Sequence, residues 1–365
     1  MNTGPLAGLR VVEFEGLGPG PLAGMLLADW GADVVVVGYQ TEFGAKVPLR
    51  YQIANRGKRR VAANLKSPED LANVLQLLDS AEVLLEGYRP GTMERLGLGP
   101  AIVHQRNPRL VYTRITGWGQ TGTRAKTAGH DIGYIAMTGA LSTIGRADGA
   151  PVPPVNYLGD YAGGTMFAVA GTLVALLEAN RSGRGQVVDA AMVDGVGALM
   201  APLLGMAGAG MWSGRRGTNL LDTGAPFYDV YRTADDRWLA IGALEDKFFA
   251  ELLAGLGLDP VVGFDRWNPV SWPALKAALA NAVAGKTRDQ WTAIFAGTDA
   301  CVSPVLTLDE AIVDPDNVAR GAFSRIGGVA HPGKAPRFDR TALGPPTAVP
   351  EGVEALCDVV RGWAV

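Results

Sequence analysis

Two residues near the middle of the chain, His130 and Asp160, carry side chains that can accept and donate protons. Each lies in a glycine-containing turn followed by an apolar stretch, a pattern that predicts a helix starting beside it. Free N–H groups and the dipole at a helix start favour negative charge, so both positions could serve proton transfer next to a developing anion. A purely structural interpretation stays open, because Asp is a preferred N-cap residue and His is an ordinary polar residue in a turn.

The composition narrows the classes of partner. The 365-residue chain has 48% hydrophobic and 19% charged residues, whereas about 25% charged residues is typical of soluble proteins. This low charged fraction predicts a large buried area, either in a core or between subunits. The formal net charge of −3 argues against a general binder of nucleic acid or of an anionic membrane.

Cysteine and histidine are scarce in this chain. The two cysteines, Cys301 and Cys357, lie in unrelated contexts, and there are three histidines. A disulfide scaffold and a metal site built from Cys or His are therefore not expected. The N-terminus has no basic start followed by an apolar run, so we expect no signal peptide and a cytoplasmic location. Two apolar stretches, residues 162–178 and 187–212, contain glycine or aspartate and are predicted to be buried helices rather than membrane spans.

The first part of the chain alternates between short strands and helices. Residues 9–14 and 32–37 are β-branched runs, and the helical pattern of residues 21–30 between them completes a βαβ unit typical of parallel sheets. The glycines at 16–20 lack the spacing of a dinucleotide-binding turn, and Pro19 and Pro21 lack the N–H groups that a pyrophosphate needs. The pattern therefore predicts an α/β domain and argues against a nicotinamide dinucleotide site.

From residue 225 onward the pattern changes. Alternating residues 228–233 and 238–242 flank a polar turn and predict a β-hairpin, which helical segments and a further strand follow. We predict a large α/β domain over residues 1–212, completed by the closing segment 330–365, and a small α+β domain over residues 225–325. Residues 191–211 are predicted to form one helix that leaves the large domain.

An ordered series of short motifs spans almost the whole chain. It includes Leu9-Arg10-Val11-Val12-Glu13, Glu86-Gly87-Tyr88-Arg89-Pro90-Gly91, Thr116-Gly117-Trp118-Gly119-Gln120, Gly129-His130-Asp131, Gly159-Asp160 and Gly185-Gln186-Val187-Val188-Asp189. With this series the chain closely resembles the α-methylacyl-CoA racemases of the family III CoA-transferase superfamily. The resemblance implies a large Rossmann-like parallel-sheet domain, a smaller α+β domain, and two chains interlocked as a homodimer. It also implies an acyl-CoA substrate, with coenzyme A entering as part of that substrate and no separate cofactor.

The resemblance assigns the reaction to four residues. His130 and Asp160 would move a proton to and from the carbon beside the thioester carbonyl, on opposite faces. Glu245 would be the carboxylate that pairs with the histidine, so the site would have to form between domains or between subunits. The backbone N–H of Asp131, at its helix start, would hold the enolate oxygen.

The resemblance also implies where the CoA ester binds. Arg89 and Arg95 would contact the coenzyme's phosphates, and the basic run 56–60, which could otherwise be a solvated face, would add charge-assisted donors. The implied binding residues are Ala63, Asn64, Leu65, Lys66, Gly87, Tyr88, Arg89, Arg95, Gly129, Tyr134, Arg56 and Lys58. The chain departs from the racemase pattern after its second strand, where Val36 and Tyr39 occupy positions expected to hold arginines. Tyr39 could stack on the adenine instead, or Arg56 and Lys58 could carry more of the charge.

Two other functions stay open. In the CoA-transferases of the superfamily, the aspartate matching Asp160 attacks as a nucleophile and forms an acyl anhydride and then an aspartyl-CoA thioester. The transferases as a group lack a histidine matching His130, which favours the racemase. A protein that binds CoA esters without catalysis is the third possibility, but it would need none of His130, Asp160 and Glu245.

Overall fold

The computed structural model describes residues 3–38, 47–259 and 265–364, and the chain forms two compact units. The first unit comprises Met1–Thr138, Val155–Leu199 and Ile312–Val365, and the second comprises Gly139–Pro154 and Met200–Ala311. These boundaries differ from the predicted domains. The main segment of the second unit runs over Met200–Ala311 instead of residues 225–325, and the unit also includes the excursion Gly139–Pro154. The guanidinium of Arg216 explains the excursion, because it donates to the carbonyls of Ser142, Arg146 and Gly149.

The first unit is built on a sheet of six parallel strands in the order β3-β2-β1-β4-β5-β6. These strands are β1 Arg10–Phe14, β2 Asp33–Gly38, β3 Arg59–Ala62, β4 Val83–Glu86, β5 Val111–Thr116 and β6 Val187–Ala191. The strand order reverses between β1 and β4, where Val11 lies opposite Val83. At such a reversal the loops that follow the two strands diverge and leave a crevice at the carboxyl edge of the sheet.

Helices cover both faces of this sheet. The α-helices of the described residues, in both units, are α1 Pro19–Asp29, α2 Pro68–Asp79, α3 Thr92–Arg95, α4 Pro100–Arg106, α5 Asp131–Met137, α6 Met166–Ser182, α7 Met192–Leu199, α8 Ala201–Gly208, α9 Asp246–Leu256, α10 Trp272–Val283, α11 Arg288–Phe295, α12 Leu308–Val313, α13 Pro315–Arg320 and α14 Leu356–Trp363. Successive strand residues point to opposite faces, so Val12 packs with α2, α4 and α14 while Val11 packs with α1 and α6. The predicted parallel α/β architecture is confirmed.

The second unit contains a three-stranded antiparallel sheet. Its strands are β7 Tyr228–Arg232, β8 Trp238–Gly242 and β9 Val302–Pro304, in that order. The predicted hairpin is confirmed, with Arg232 opposite Trp238 beside the turn. Helices α9, α10 and α11 bury Phe227 and Trp291 in a separate core. A further hairpin, β10 Phe323–Ile326 and β11 Val329–Pro332, lies in the closing segment of the first unit.

The prediction of one helix over residues 191–211 is wrong. The chain forms α7 and then α8, with the break at Met200. Pro202 lies in the first turn of α8, where its missing N–H costs nothing. In the interior of a continuous helix the same proline would remove a hydrogen bond and clash with the preceding turn, so the chain starts a new helix instead.

Helix α6 has one buried and one exposed apolar face. Together with the turn before it, Tyr157–Ser182 is the one helical stretch of the described chain that is long and apolar enough to cross a membrane. Its face of small residues packs on the sheet and is buried at Ala168, Val169, Thr172, Ala175 and Ala179. The opposite face exposes Met166, Phe167, Val174 and Leu177.

Two cations of the basic run 56–60 lie inside the first unit, which corrects their predicted role in binding phosphates. Arg56 and Lys58 are buried, with exposures of 0% and 2%. The guanidinium of Arg56 binds Asp29, with Nη2 2.6 Å from Oδ2, and the ammonium of Lys58 lies 2.7 Å from the carboxylate of Glu13. Charges buried this deeply need such partners, so neither side chain is available to a ligand.

Candidate active site

A crevice of about 470 Å³ opens at the carboxyl edge of the parallel sheet, where β1 and β4 diverge. The loops after these strands supply Leu17, Gly18 and Pro19 on one side and the segment 87–90 on the other. The rest of the lining comes from the end of β5 and the loop after it, the start of α5, the turn before α6 and the first residue of α7. The predicted site residues that line this one crevice are His130, Asp160, Gly87, Tyr88, Arg89, Gly129 and Tyr134.

Asp160 lies in a π-helical turn, Tyr157–Thr165, that continues into α6. Such turns are rare and occur frequently at functional sites. This turn packs closely on α7, because a Cβ on Gly163 would lie 2.7 Å from the side chain of Val196, and a Cβ on Gly195 would lie 1.9 Å from the Gly163 carbonyl oxygen. The sequence pattern alone does not show that these glycines let the wide backbone approach α7.

The carboxylate of Asp160 is half-buried in the crevice wall. Burial raises its pKa above the ordinary aspartate value, and the negative charge of Asp131 acts in the same direction. The side chain of Asn156 opposes this shift, because its Nδ2 donates to Oδ2 of Asp160 at 3.0 Å, and the charge of His130 also opposes it. A raised pKa suits a carboxyl group that must both take up and return a proton.

The carboxylate of Asp131 joins the two helix starts of the site. It is 4% exposed, and its Oδ2 accepts hydrogen bonds from the N–H groups of Gly159 at 2.6 Å and Asp160 at 2.8 Å. A Cβ on Gly159 would lie 2.7 Å from the same oxygen, so only glycine fits at that position. The sequence analysis considered only the backbone N–H of Asp131 and missed this role of its side chain. An aspartate in the first turn of an apolar helix was the available signal.

His130 precedes α5 as its N-cap, with extended backbone angles of φ −136° and ψ 171°. Its side chain is exposed in the crevice. The first N–H groups of any helix lack an acceptor within the helix, and the N–H of Asp131 is the first of α5. An imidazole and a peptide N–H donor therefore lie next to each other in the chain, as proton transfer beside an oxyanion requires.

Tyr134 forms the floor beside His130 and is buried. Its ring packs edge-on against Trp118, with centroids 4.9 Å apart, and a Cβ on Gly117 would lie 2.1 Å from the Tyr134 ring. Burial raises the pKa of its phenol, and the charge of Asp160 adds to the shift. Tyr134 therefore remains a neutral, tightly packed wall, and its contacts explain the glycines at 117 and 129.

The predicted phosphate contacts occupy different places along the carboxyl edge. Arg89 is exposed and lines the crevice, whereas Arg95 is exposed on α3, where its Nη2 donates to Oγ1 of Thr92 at 3.0 Å. The segment 63–66 follows β3 at the same edge of the sheet, and Asn64 and Lys66 are exposed there while Ala63 is buried. In contrast to the buried Arg56 and Lys58, Arg89 and Arg95 keep their cationic groups at the protein surface.

Glu245 belongs to the second unit, where it is exposed as the N-cap of α9. Val36 is buried within β2, and Tyr39 lies outside the described residues. Among the described residues, no cluster of three or more His, Cys, Asp or Glu side chains is arranged to hold a metal ion.

Comparisons with known proteins agree over nearly the full length. The profile of CoA-transferase family III matches residues 6–353. The chain is 44% identical over 341 residues to the alpha-methylacyl-CoA racemase of Mus musculus, covering 93% of this chain and 88% of that protein. Identity to the alpha-methylacyl-CoA racemase of Homo sapiens is 44% over 320 residues, covering 87% and 82% of the two chains. The crystal structure of a CAIB/BAIF family protein from Brucella suis has a TM-score of 0.82, with 26% identity and 99% of each chain covered.

Removal of the Asn156 side chain should raise the pKa of Asp160 further. The Asn156→Ala variant loses the hydrogen bond that favours the ionised carboxylate, while the burial that favours the neutral form stays. The pKa can be measured by NMR titration of protein with ¹³C-labelled aspartate carboxyl groups, with Asp160→Asn to assign the resonance. Asn180→Ala, at an exposed position on α6, is the matched control. An unchanged or lowered Asp160 pKa in Asn156→Ala would contradict this role of Asn156.

Proposed function

Because the chain belongs to CoA-transferase family III, we propose that it is an isomerase that racemises 2-methylacyl-CoA thioesters at C2. The main structural support is that His130 and Asp160 line one crevice, beside the first N–H of α5. Inversion by proton transfer needs two acid/base groups that flank one carbon and a donor for the enolate oxygen. These residues supply all three groups.

In the proposed reaction, the Asp160 carboxylate removes the C2 proton of one epimer. The electron pair of that C–H bond forms a C1–C2 double bond, and the carbonyl oxygen becomes an enolate oxygen that accepts a hydrogen bond from the Asp131 N–H. Protonated His130 then delivers a proton to the opposite face of C2, and the carbonyl forms again. The other epimer reacts in reverse, with neutral His130 as the base and protonated Asp160 as the acid.

Further residues support this reaction in the proposal. Glu245 pairs with the imidazole of His130 and fixes its tautomer. Arg89 and Arg95 bind phosphates of the coenzyme, since both guanidinium groups are exposed at the carboxyl edge. Coenzyme A enters as part of the substrate, so the proposed reaction needs no separate cofactor.

We also propose that the protein is a homodimer. The exposed face of α6 carries Met166, Phe167, Val174 and Leu177, and this face continues along a helix whose other side is fixed in the core. A contiguous apolar face of this kind is typical of an interface between subunits. The low charged fraction of the chain supports the same conclusion.

Isotope exchange tests the racemase proposal. A 2-methylacyl-CoA ester incubated with the protein in D₂O, without an acceptor acid, should gain deuterium at C2, because the base that removes the proton exchanges with solvent. Mass spectrometry measures the incorporation separately for each epimer. His130→Ala should abolish exchange of the epimer whose C2 proton faces His130. His104→Ala should leave both rates unchanged, because His104 lies outside the crevice lining.

The same assay separates the racemase from a transferase. A transferase would show no exchange without an acceptor, and its aspartyl thioester at position 160 would be cleaved by hydroxylamine or reduced by borohydride. Loss of activity in Asp160→Ala would not discriminate, because both reactions need that carboxylate. Isolation of a covalent adduct at Asp160 would refute the racemase proposal.

Replacement of Arg89 by alanine should raise KM for the CoA ester about tenfold or more. The loss of one charge-assisted hydrogen bond to phosphate corresponds to roughly 1.5–3 kcal/mol. The value of kcat should change less, because this contact is present in both the ground state and the transition state. Arg95→Ala should behave in the same way. Arg106→Ala serves as the control, because Arg106, the last residue of α4, forms an ion pair with Asp79. Unchanged KM in both variants would place the coenzyme elsewhere.

The dimer proposal predicts twice the chain mass of 38.2 kDa in sedimentation or light scattering at micromolar concentration. Val174→Asp should shift the population to monomer, because the interface would then bury an unpaired charge. Ile102→Asp places the same charge at an exposed apolar position on α4, on the opposite face of the sheet, and should leave the dimer intact. A stable wild-type monomer would be incompatible with the proposal.

A further inference from the structure

The turn that carries Glu245 lies between β8 and α9. Glu245 is the N-cap of α9, with extended backbone angles of φ −80° and ψ 149°. Its carboxylate does not fold back on the helix as a cap and is exposed. Within the second unit, the position from which this side chain extends is therefore set by the backbone of the turn.

One arginine holds that backbone on both sides of Glu245. The Nη1 of Arg266 donates to the Ala243 carbonyl at 3.3 Å, and its Nη2 donates to the Leu244 carbonyl at 2.6 Å. The Nε donates to Oδ1 of Asp246 at 3.1 Å. A single planar group thus binds the two residues before Glu245 and the one after it, and its fork of donors has fixed geometry.

Aromatic rings fix the position of the Arg266 guanidinium. Its central carbon lies 4.8 Å from the ring centroid of Phe227, 4.9 Å from that of Phe249 and 4.3 Å from that of Trp267. Arg266 is 6% exposed. Hydrogen bonds are stronger away from water, and the faces of the rings attract the cation, so the guanidinium cannot move without losing several contacts together.

We propose that Arg266 is a positioning residue that sets the direction of the Glu245 carboxylate and, through it, the imidazole of His130. This inference rests on the proposed function, in which Glu245 pairs with His130. Asp160, in contrast, is held within the first unit by Asp131 and Asn156. A disturbance at Arg266 therefore impairs proton transfer by His130 and spares proton transfer by Asp160.

Exchange measured separately on the two epimers tests this asymmetry. Each purified epimer of a 2-methylacyl-CoA ester is incubated at saturating concentration in D₂O, and the initial rate of deuterium incorporation is recorded. In Arg266→Met, the epimer whose C2 proton faces His130, identified as the one that His130→Ala blocks, should exchange about tenfold or more slowly. The other epimer should exchange within about twofold of the wild-type rate. Arg266→Lys keeps the charge but not the fork of donors and should give an intermediate loss for the same epimer.

Arg288 provides the matched control for a general loss of stability. It is buried in the same unit, at 5% exposure, but binds Glu310 at 2.8 Å and the Val305 carbonyl at 3.1 Å instead of the Glu245 turn. Arg288→Met should lower the unfolding midpoint and leave the ratio of the two exchange rates unchanged.

Three outcomes would overturn the positioning role of Arg266. These are an equal loss for both epimers in the Arg266 variants, wild-type rates for both epimers, and the same asymmetry in Arg288→Met. If Arg266→Met does not fold, the ratio in Arg266→Lys decides the question. Absence of exchange in the wild-type protein would refute the proposed racemase function itself. The wild-type rate therefore tests that function separately from the role of Arg266.

Discussion

The carboxylate of Asp131 is the interaction on which the geometry of the candidate site depends. A buried carboxylate is stabilised by donors that replace the water it has lost, and the N–H groups of Gly159 and Asp160 supply two of them to Oδ2. The same residue opens α5, directly after His130. The carboxylate of Asp131 therefore fixes the relation between the backbone of His130 and the backbone of Asp160. Burial is the main cause of the raised pKa of Asp160, and the negative charge of Asp131 raises that pKa further.

Close packing of glycines makes this arrangement possible. The turn that carries Asp160 is wide, and it reaches Asp131 only because Gly159 has no side chain. On its other side, Gly163 and Gly195 bring the turn and α7 into backbone contact, since a Cβ on Gly195 would lie 1.9 Å from the carbonyl oxygen of Gly163. Interiors are packed too densely to absorb added atoms without movement. A methyl group at any of these positions would therefore displace Asp160 rather than fill a space.

The sequence predicted the features that depend on local patterns. Alternating and β-branched runs predicted β1, β2 and the β7–β8 hairpin, because the period of a strand is visible in any short window. The resemblance to a family placed His130 and Asp160 in one site, although they are 30 positions apart in the chain. The π-helical turn was not predicted, since its sequence also fits an ordinary turn before a helix. Pro202 was a signal for the break between α7 and α8, but the continuous apolar pattern on both sides of it favoured a single helix.

The basic run was misinterpreted for a different physical reason. A run of cations indicates charge, but its function depends on partners elsewhere in the chain. The acid that neutralises Arg56 is 27 positions away, and the acid that neutralises Lys58 is 45 positions away. Asp29 and Glu13 lie in α1 and β1, segments whose local patterns predict only a helix and a strand. Such pairings follow from the strand order, which no local pattern contains.

Burial separates five arginines of the described chain into two groups. Arg56, Arg266 and Arg288 are buried, and acids and backbone carbonyls occupy their donors, so they hold segments of the fold together. Arg89 and Arg95 are exposed at the carboxyl edge, where a guanidinium retains donors for an incoming anion. A phosphate ligand pays little desolvation at such exposed groups, whereas access to the buried ones would require breaking an ion pair that stabilises the core. The same type of side chain thus supports the fold where its donors are occupied, and in the proposed function it binds the ligand where its guanidinium is exposed.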